Sequence, residues 1–429
     1  MRFIWFLVAK YRLYKNKEDR NCINEKFGFA NKKYLKQLEE YKEECKKNKV
    51  EAKVVLIHAV SVGESNSVLP IVSKLLEKNF FVVFTTTTVT SANLIKQKLQ
   101  KNFIHQYCVY PNKTFIQRFY NNWRPTKVFF VESEIFPSIV SFLKKQKCEI
   151  YLLNGRISEK SYKRWKIVKF YIKNILQKYD CIFTQNEDES QKFKTLSNNL
   201  SNIQCFGNLK FESSIVSAKL ITKQFENETD SIIAKCKLLS KNKENRKIIV
   251  FASIHESEFL HIIWQYSVLL KKINCIGVFV PRHIEKNEIL SKEFYKNDID
   301  FTFFSDFCGG NFANTIIVDQ FGILNYIYNI CDYAVVCGSF SADIGGHNPL
   351  ESIALNKPTI IGKFCHKNNN IVNDLLRHKA LIQTSNISAE ILNLIKNKDL
   401  ETELVNNGKK LLSANNNTVD KILHYLSIG

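Results

Sequence analysis

The residues of this chain best suited to chemistry are carboxylates that follow predicted strands. Glu64 comes directly after Gly63, between the apolar run 53–58 and a helical pattern. A carboxylate in such a strand-to-helix loop projects over the carboxyl edge of a parallel sheet, where it can accept a proton from a substrate hydroxyl. Negative charge is also stabilised in the first turn of a helix. We therefore predict that Glu64 is a general base, with a purely structural role as the alternative.

A second pair of carboxylates, Glu132 and Glu134, follows the apolar run 128–131. Residues two apart in an extended chain share one face, so one of the pair is a candidate for orienting a substrate or stabilising charge. Arg156 follows the next apolar run, 150–153, and can pair with either carboxylate or hold an anionic substrate. Spacing alone leaves these roles open.

The second half of the chain offers residues suited to binding anions. Arg282 follows the apolar run 277–280, and a guanidinium binds an oxyanion with two parallel hydrogen bonds. Residues 331–365 predict a strand, a glycine-rich loop and a short helix, with Asn348 as its N-cap, Pro349 at its first position and Glu351 three residues after the cap. Such a loop and helix start attract phosphate, although an ordinary capping box explains the same residues.

The order of apolar runs predicts the elements that must position these residues. Short strands alternate with helical patterns throughout, and polar residues repeatedly follow the strand ends. This alternation is typical of doubly wound parallel sheets. We predict an α/β protein of two Rossmann-like domains that face a cleft. The predicted boundaries are an amino-terminal arm at 1–50, a first domain at 51–212, a linker at 213–246 and a second domain with a C-terminal helix at 247–429.

Composition limits the possible partners. Sixty-two Lys and Arg against 41 Asp and Glu give a formal charge of +21, which favours nucleic acid, anionic lipid or phosphorylated small molecules. Twelve cysteines without a C-x-x-C pair indicate a reduced cytosolic compartment and no zinc site. The sequence Asp298-Ile-Asp300 matches a D-x-D metal signature only superficially. We predict no metal and no cofactor.

The amino-terminal arm begins with an apolar stretch, 3–9, that is too short to span a bilayer. It is followed at once by cationic residues interleaved with two tyrosines: Lys10, Tyr11, Arg12, Tyr14, Lys15 and Lys17. An aromatic wedge beside a cationic cluster is typical of an interfacial anchor on anionic lipid. The alternative is a helix packed on the body of the protein with its charges solvated.

Seven short motifs run in order along nearly the whole chain, at residues 58–64, 85–88, 132–137, 207–211, 252–255, 281–283 and 345–351. The longest read His-Ala-Val-Ser-Val-Gly-Glu at 58–64, Glu-Ser-Glu-Ile-Phe-Pro at 132–137 and Gly-Gly-His-Asn-Pro-Leu-Glu at 345–351. As a set they resemble the motifs of the 3-deoxy-D-manno-octulosonic acid (Kdo) transferases of lipopolysaccharide synthesis.

The resemblance implies a glycosyltransferase of the GT-B fold, with the acceptor bound by the first domain and the donor by the second. Members of this family transfer Kdo from CMP-Kdo to the lipid A precursor, lipid IVA. The transfer inverts the anomeric configuration and needs no metal. It takes place at the cytoplasmic face of the inner membrane, which implies a peripheral or N-terminally anchored enzyme.

The resemblance also implies a role for each matching residue. Glu64 matches the general base, and Glu132 or Glu134, with Lys210, matches positions that stabilise the charged transition state. Arg156 lies on the acceptor side. The matching donor-binding residues are Pro281, Arg282, Phe321, Gly322, Ile323, Ser339, Gly346, Asn348, Pro349, Leu350 and Glu351. The helix after Asn348 would direct its N-terminus at the CMP phosphate, and Glu351 would hold the ribose.

The chain departs from the family pattern at three places. The family usually has an acidic residue where Ile323 stands and a second glycine where Cys337 stands. It has Pro-Thr-Gly where residues 89–91 read Val-Thr-Ser. These departures concern nucleotide contacts and leave Glu64 in place.

Three other functions compete with this one. A related transferase with another donor, such as a UDP-sugar, would use the same loop at 338–351. A basic nucleic-acid-binding protein is disfavoured because the chain has no RNP motif, zinc finger or KH loop, and its loop carboxylates would repel a phosphate backbone. An inactive lipid-binding relative is disfavoured because Glu64 and Arg282 are both present.

Overall fold

The computed structural model describes residues 2–15, 18–227, 230–310 and 312–428. Its chain forms two compact units. The first unit contains the residues up to Ser213 together with those from Asn417 onward, and the second contains Ser214–Asn416. Within the described residues no helix is long and apolar enough to cross a membrane.

The first unit is built on seven parallel strands. They are β1 (Val54–His58), β2 (Phe81–Thr86), β3 (Phe103–Tyr107), β4 (Lys127–Val131), β5 (Glu149–Gly155), β6 (Cys181–Thr184) and β7 (Ile203–Cys205). Their order across the sheet is β3-β2-β1-β4-β5-β6-β7. The chain moves outward in one direction from β1 and in the other from β4. The point between these two strands is therefore the switch point, beside which ligands bind in doubly wound sheets.

Helices cover both faces of this sheet. They are α1 (Arg2–Tyr14), α2 (Lys32–Lys47), α3 (Val62–Glu77), α4 (Val89–Lys96), α5 (Lys113–Trp123), α6 (Pro137–Lys145), α7 (Glu159–Ile167), α8 (Lys169–Leu176) and α9 (Glu187–Ser197), with a 3-10 helix at Arg20–Phe27. Helix α10 (Leu209–Asn227) begins in the first unit, and its residues from Ser214 onward belong to the second. Residues 54–57 of β1 are all apolar because each face of the sheet has its own core. Val54 and Leu56 pack into one core, whereas Val55 and Ile57 pack into the other.

The second unit repeats this architecture. Its strands are β8 (Lys247–Ile254), β9 (Cys275–Pro281), β10 (Thr302–Phe303), β11 (Thr315–Ile317), β12 (Tyr333–Val336), β13 (Thr359–Ile361) and β14 (Ile382–Gln383). They form a parallel sheet in the order β10-β11-β9-β8-β12-β13-β14, with the switch point between β8 and β12. The helices are α11 (Ser231–Lys241), α12 (Phe259–Leu270), α13 (Asn287–Lys296), α14 (Leu324–Ile330), α15 (Leu350–Ala354), α16 (Asn369–Arg377), α17 (Ile387–Lys396) and α18 (Lys398–Ala414).

The last helix, α19 (Thr418–Tyr425), differs from the predicted boundaries. It belongs to the first unit, where Val419, Ile422 and Leu423 complete the core that contains Val55 and Ile57. The C-terminal helix that was predicted for the second domain therefore belongs to the first unit. The predicted linker is also ordered, since it forms most of α10 and the whole of α11.

The predicted amino-terminal arm is mostly packed on the first unit. Phe27, Leu38 and Tyr41 are buried in its core, and the ring of Trp5 stacks on Tyr110 at 4.9 Å between centroids. Lys17, which the sequence analysis placed in the cationic cluster, lies outside the described residues. The predicted packing of the arm on the body of the protein is therefore present for one face of α1. The interfacial anchor on anionic lipid remains a prediction.

Candidate functional site

Glu64 lies at the switch point of the first sheet, in the first turn of α3. Its carboxylate accepts a hydrogen bond from the Val60 backbone N–H at 2.8 Å and one from the Ser61 hydroxyl at 3.0 Å. Ser61 is the N-cap of α3 and in turn accepts from the Glu64 N–H. The structural alternative for Glu64 is thus present, yet the side chain stays partly exposed. Burial, followed by the charge of Glu132, raises the pKa of Glu64.

Glu132 follows β4 on the other side of the switch point and is buried between two cations. The Arg156 Nε lies 2.8 Å from one carboxylate oxygen, and the Lys210 Nζ lies 2.5 Å from the other. The predicted pairing of Arg156 with one of the two carboxylates is present. The predicted extended backbone is wrong, because Glu132 has a φ of +60° and the chain turns here.

Glu134 lines a cavity of about 460 Å³ with Phe136, Arg164 and Trp165. Burial, followed by the charges of Glu64 and Glu132, raises the pKa of Glu134 to about 7. The three carboxylates therefore share one electrostatic environment. Glu132 carries the two cations, whereas Glu64 and Glu134 hold their protons more tightly than ordinary carboxylates.

Lys210 is brought to Glu132 by the start of α10. Asn208 accepts a hydrogen bond from the Lys210 N–H, and Asn154 at the end of β5 accepts one from the Leu209 N–H. The motif 207–211 therefore positions a lysine over the carboxyl edge of the sheet. The hydrogen bond to Asn208 gives a physical reason for the amide in this motif, which spacing alone did not supply.

Sequence reasoning assigned no role to His58, the last residue of β1. It is buried, and its Nδ1 lies 2.9 Å from the Thr85 hydroxyl. Burial, followed by the charge of Lys26, lowers the pKa of His58 to about 3, so the imidazole is neutral. The first motif and the threonine run are thus joined by a hydrogen bond beneath the carboxylates.

In the second unit, Arg282 follows β9 with its side chain exposed. No carboxylate of the described residues lies within ion-pair distance of its guanidinium. Beside it is a cavity of about 550 Å³, lined by Ile254, His255, Glu256, Ser257, His283, Lys286, Asp343 and Ile344. The Nε2 atoms of His255 and His347 lie 2.8 Å apart. Burial is the main cause that lowers the pKa of both rings, that of His347 to about 3. Both imidazoles are therefore neutral, and the Nε2–H of one donates to the Nε2 of the other.

The predicted helix after Asn348 is short. Asn348 accepts a hydrogen bond from the Leu350 N–H at 3.2 Å, as a cap does, but α15 has only five residues and begins at Leu350, not at Pro349. Its dipole is therefore small, and the predicted direction of its N-terminus at the CMP phosphate remains a prediction. Burial raises the pKa of Glu351, and Arg282 opposes that effect.

Several predicted donor contacts have buried side chains. Ile323 and Leu350 are part of the hydrophobic interior. The Ser339 hydroxyl donates to the Val336 carbonyl and accepts from the Gly362 N–H, both at 2.7 Å. The side chain of Phe321 is exposed and can contact a ligand, unlike those of Ile323 and Leu350. Among the remaining predicted residues, Pro281 and Pro349 are buried, and Gly322 and Gly346 have φ values of +82° that favour glycine.

Glu258 is a residue of the second unit that sequence reasoning missed. It is buried, and its carboxylate accepts three hydrogen bonds from backbone N–H groups: His255 at 3.1 Å, Gly338 at 2.7 Å and Phe340 at 2.9 Å. It therefore ties the end of β8 to the loop after β12, across the switch point. Its available signal was a glutamate three residues after His255, the spacing of a capping box.

No group of three or more His, Cys, Asp or Glu side chains within the described parts of the chain is arranged to hold a metal ion.

Comparison with known proteins identifies the family. The sequence profile described as 3-deoxy-D-manno-octulosonic-acid transferase (kdotransferase) matches residues 22–213. A 3-deoxy-D-manno-octulosonic acid transferase of Rickettsia bellii is 30% identical over 437 residues, which cover 99% of this chain and 96% of that protein. The chain belongs to the Kdo transferase family. It is therefore an enzyme, a glycosyltransferase, as the resemblance implied.

Solved structures show the fold. The UDP-GlcNAc 2-epimerase of Neisseria meningitidis is similar with a TM-score of 0.60 at 14% identity, covering 88% of this chain and all of that one. A glycosyltransferase of Rickettsia africae has a TM-score of 0.57 at 12% identity, covering 87% of this chain and 98% of that one. These similarities confirm the predicted GT-B fold class with its two Rossmann-like parallel sheets. The predicted cleft remains a prediction.

Proposed function

We propose that this Kdo transferase moves Kdo from CMP-Kdo to lipid IVA, with inversion and without a metal, in lipopolysaccharide synthesis. The observation that carries the proposal is the placement of Glu64. Its carboxylate is held by the Val60 N–H and the Ser61 hydroxyl at a sheet switch point, and it is still partly exposed. A fixed, accessible carboxylate of raised pKa is suited to taking a proton from an acceptor hydroxyl.

In this mechanism an acceptor hydroxyl donates a hydrogen bond to Glu64. As the oxygen attacks the anomeric carbon of Kdo, Glu64 takes its proton, and CMP leaves from the opposite face, which inverts the configuration. The Arg156–Glu132–Lys210 cluster keeps two cations beside the reaction, where they offset developing negative charge. Glu134, with a pKa of about 7 that the charge of Glu64 helps to raise, adds a carboxyl group that titrates near neutral pH.

The donor would bind in the second unit. CMP-Kdo carries a phosphate and a carboxylate, both of which suit an exposed guanidinium without a bound carboxylate, as at Arg282. The cavity of about 550 Å³ beside Arg282 has room for a sugar acid. One N–H of the neutral His255–His347 pair is used between the two rings, so the pair can offer a ligand one further N–H without adding charge. We assign Glu351, whose pKa is raised, to the ribose hydroxyls.

An anionic membrane surface would present the acceptor, at the cytoplasmic face of the inner membrane. On α1 the exposed side chains of Ile4, Leu7, Tyr11 and Tyr14 follow helical spacing and form one apolar stripe. Lys10 of this helix and Lys15, which directly follows it, are also exposed. An apolar stripe with neighbouring cations is typical of a helix that lies in a lipid interface.

A second exposed apolar patch lies where α7 meets α8. Ile167 is 84% exposed and Phe170 is 80% exposed, with Val168 between them. The surrounding cations are Lys160, Lys163, Arg164, Lys166, Lys169 and Lys173, and residues 160–173 contain no acidic side chain. Arg164 and Trp165 of α7 also line the cavity of Glu134. This patch therefore places an apolar and cationic surface beside a candidate acceptor pocket.

The direct test is transfer by the purified protein. Wild type and Glu64→Gln are incubated with lipid IVA and CMP-Kdo generated in situ, and products are measured by mass. We expect Kdo adducts with wild type and a loss of kcat of roughly 1000-fold with the variant, the range of general-base catalysis. Equal activity of the two proteins would exclude Glu64 as the base. If wild type transfers sugar only from another nucleotide, the donor assignment is wrong.

The membrane assignment is tested separately with vesicles. The double variant Ile167→Ser/Phe170→Ser should bind vesicles of anionic phospholipid about tenfold or more weakly, because each apolar side chain contributes roughly 1.5–3 kcal/mol when buried. Leu260→Ser is the matched control, since Leu260 is an exposed leucine of the second unit. Unchanged binding of the double variant would show that the α7–α8 patch does not contact lipid.

A further inference from the structure

Lys26 is a buried lysine in the amino-terminal segment of the first unit. Lys26 belongs to the 3-10 helix Arg20–Phe27 and is 3% exposed. Its Nζ lies 3.4 Å from a carboxylate oxygen of Glu18, which is itself buried. Aromatic rings of Tyr107 and Tyr110 lie within 5.0 and 5.9 Å of the ammonium. A lysine is seldom buried unless its charge is paired, so this site is built around the cation.

Lys26 also forms a hydrogen bond to residues 85–88, the threonine loop, which lie at the end of β2 and before α4. Its Nζ donates to the Thr87 backbone carbonyl at 3.2 Å, 61 residues away in sequence. Thr87 stands between the end of β2 and Thr88, the N-cap of α4. The Lys26 ammonium therefore fixes the position of the threonine loop by a charge-assisted hydrogen bond to its backbone carbonyl.

From this loop, hydrogen bonds continue to the proposed base. The hydroxyls of Thr88 and Ser91 both donate to the Val60 carbonyl, at 3.3 and 3.2 Å. The N–H of the same Val60 donates to the Glu64 carboxylate at 2.8 Å. A contiguous series of contacts thus joins a buried ion pair of the amino-terminal segment to the carboxylate of Glu64.

We infer that Lys26 is a positioning residue for the transfer reaction, holding the threonine loop and, through Thr88 and Ser91, the Val60–Glu64 turn. The inference rests on the proposed role of Glu64. It gives the amino-terminal segment a part in catalysis in addition to its part in membrane contact. A general base must be held within a fraction of an ångström of its productive position, so a small shift of this turn would lower kcat.

The test separates positioning from stability. Lys26→Met alone leaves the buried Glu18 carboxylate with Arg12 as its one remaining cationic partner among the described residues, and it should destabilise the protein. Glu18→Gln/Lys26→Met removes both charges, and the glutamine oxygen can still accept from Arg12, whose Nε now lies 2.6 Å from Glu18. We expect this double variant to recover most of the melting temperature, with kcat still roughly tenfold or more below wild type and the donor KM unchanged.

A matched control is Lys96→Met. Lys96 also contacts the amino-terminal segment, through Asp19 at 3.2 Å, and lies over the Tyr107 ring, but it makes no bond to the threonine loop. Its loss should lower stability without a comparable loss of kcat. If kcat of the Glu18→Gln/Lys26→Met protein returns to wild type together with its stability, Lys26 is only structural and the inference is wrong.

Amide hydrogen exchange provides a readout independent of the reaction. In the double variant, peptides covering 58–66 and 85–91 should exchange faster than in wild type, whereas peptides of the second unit should not. Unchanged exchange in both segments would overturn the inference, even if transfer is impaired. Should wild type fail to transfer Kdo, the proposed function fails, and the exchange result still decides whether Lys26 holds the turn.

Discussion

The two units each place a buried carboxylate at the switch point of their sheet, but they satisfy it in opposite ways. In the first unit Glu132 is held by two cationic side chains, Arg156 and Lys210. In the second unit Glu258 is held by three backbone N–H groups. In the same architecture, therefore, one buried carboxylate binds cationic side chains and the other binds backbone N–H groups.

This difference suits the different ligands proposed for the two units. Glu132 keeps Lys210 and Arg156 beside Glu64, the residue that we propose as the general base. Glu258 occupies loop N–H groups and leaves the Arg282 guanidinium without a carboxylate partner, so that it can bind an anion. Similar folds thus acquire different chemistry by the choice of partner for one buried charge.

The largest effect on stability is expected from Glu258→Ala, which removes the acceptor of the three backbone N–H groups in the second unit. Three backbone N–H groups would lose their acceptor in the interior, and we expect the free energy of unfolding to fall by about 3 kcal/mol. The donor KM should rise, because the loop at 338–340 is released. Urea denaturation and steady-state kinetics measure the two effects.

Glu258→Gln is the control for that change, because the amide keeps one acceptor oxygen but turns an N–H₂ group toward backbone donors. Its stability should lie between those of wild type and Glu258→Ala. A cost below about 1 kcal/mol for the alanine variant would show that water replaces the carboxylate, and the comparison between the units would then fail.

A smaller loss, about 2 kcal/mol, is expected for Glu132→Ala. The two cations lose their partner, but the side chains of Arg156 and Lys210 are 40% and 16% exposed and can be solvated. Glu132→Gly separates charge from backbone strain, since a φ of +60° suits glycine. We expect the glycine variant to be more stable than the alanine variant by about 1 kcal/mol in chemical denaturation. Equal stabilities would mean that the turn carries no strain.

The smallest effect concerns Glu134 and depends on pH. Its folded pKa of about 7 lies above the ordinary value of 4.5, so the unfolded chain releases its proton first as the pH rises. Stability from this group is therefore lost between about pH 4.5 and 7, and the loss is complete above that range. Glu134→Gln should thus raise the free energy of unfolding by about 1 kcal/mol at pH 8, after allowance for solvent screening, and leave it nearly unchanged at pH 4.

Denaturation curves of wild type and Glu134→Gln at pH 4, 6 and 8 measure this difference. If the gain is the same at all three values, the carboxyl group does not titrate in this range.

Much of the fold was predictable because long apolar runs mark strands that are covered on both faces. Strands β1, β4, β5 and β8 were found in this way, and Glu64 and Arg282 were found because they follow such runs. Strand β3 was missed because His105 and Gln106 interrupt its apolar pattern. Both are buried, and hydrogen bonds join His105 Nε2 to the Thr86 hydroxyl and Gln106 to the Trp123 indole N–H. Strands β10 and β14 have only two residues each, which give too short a pattern to detect.

The sequence by itself determined the α/β class, the repeated strand-loop-helix order and the position of Glu64 at a strand end, since these follow from local periodicity and helix capping. Only the tertiary structure decided that Glu132 pairs with Arg156 and Lys210, that Glu258 joins β8 to the loop after β12 and that Lys26 reaches Thr87. These contacts join residues 24 to 82 positions apart. They depend on which strands become neighbours in the sheet, because a buried charge is stable only beside partners that local sequence does not specify.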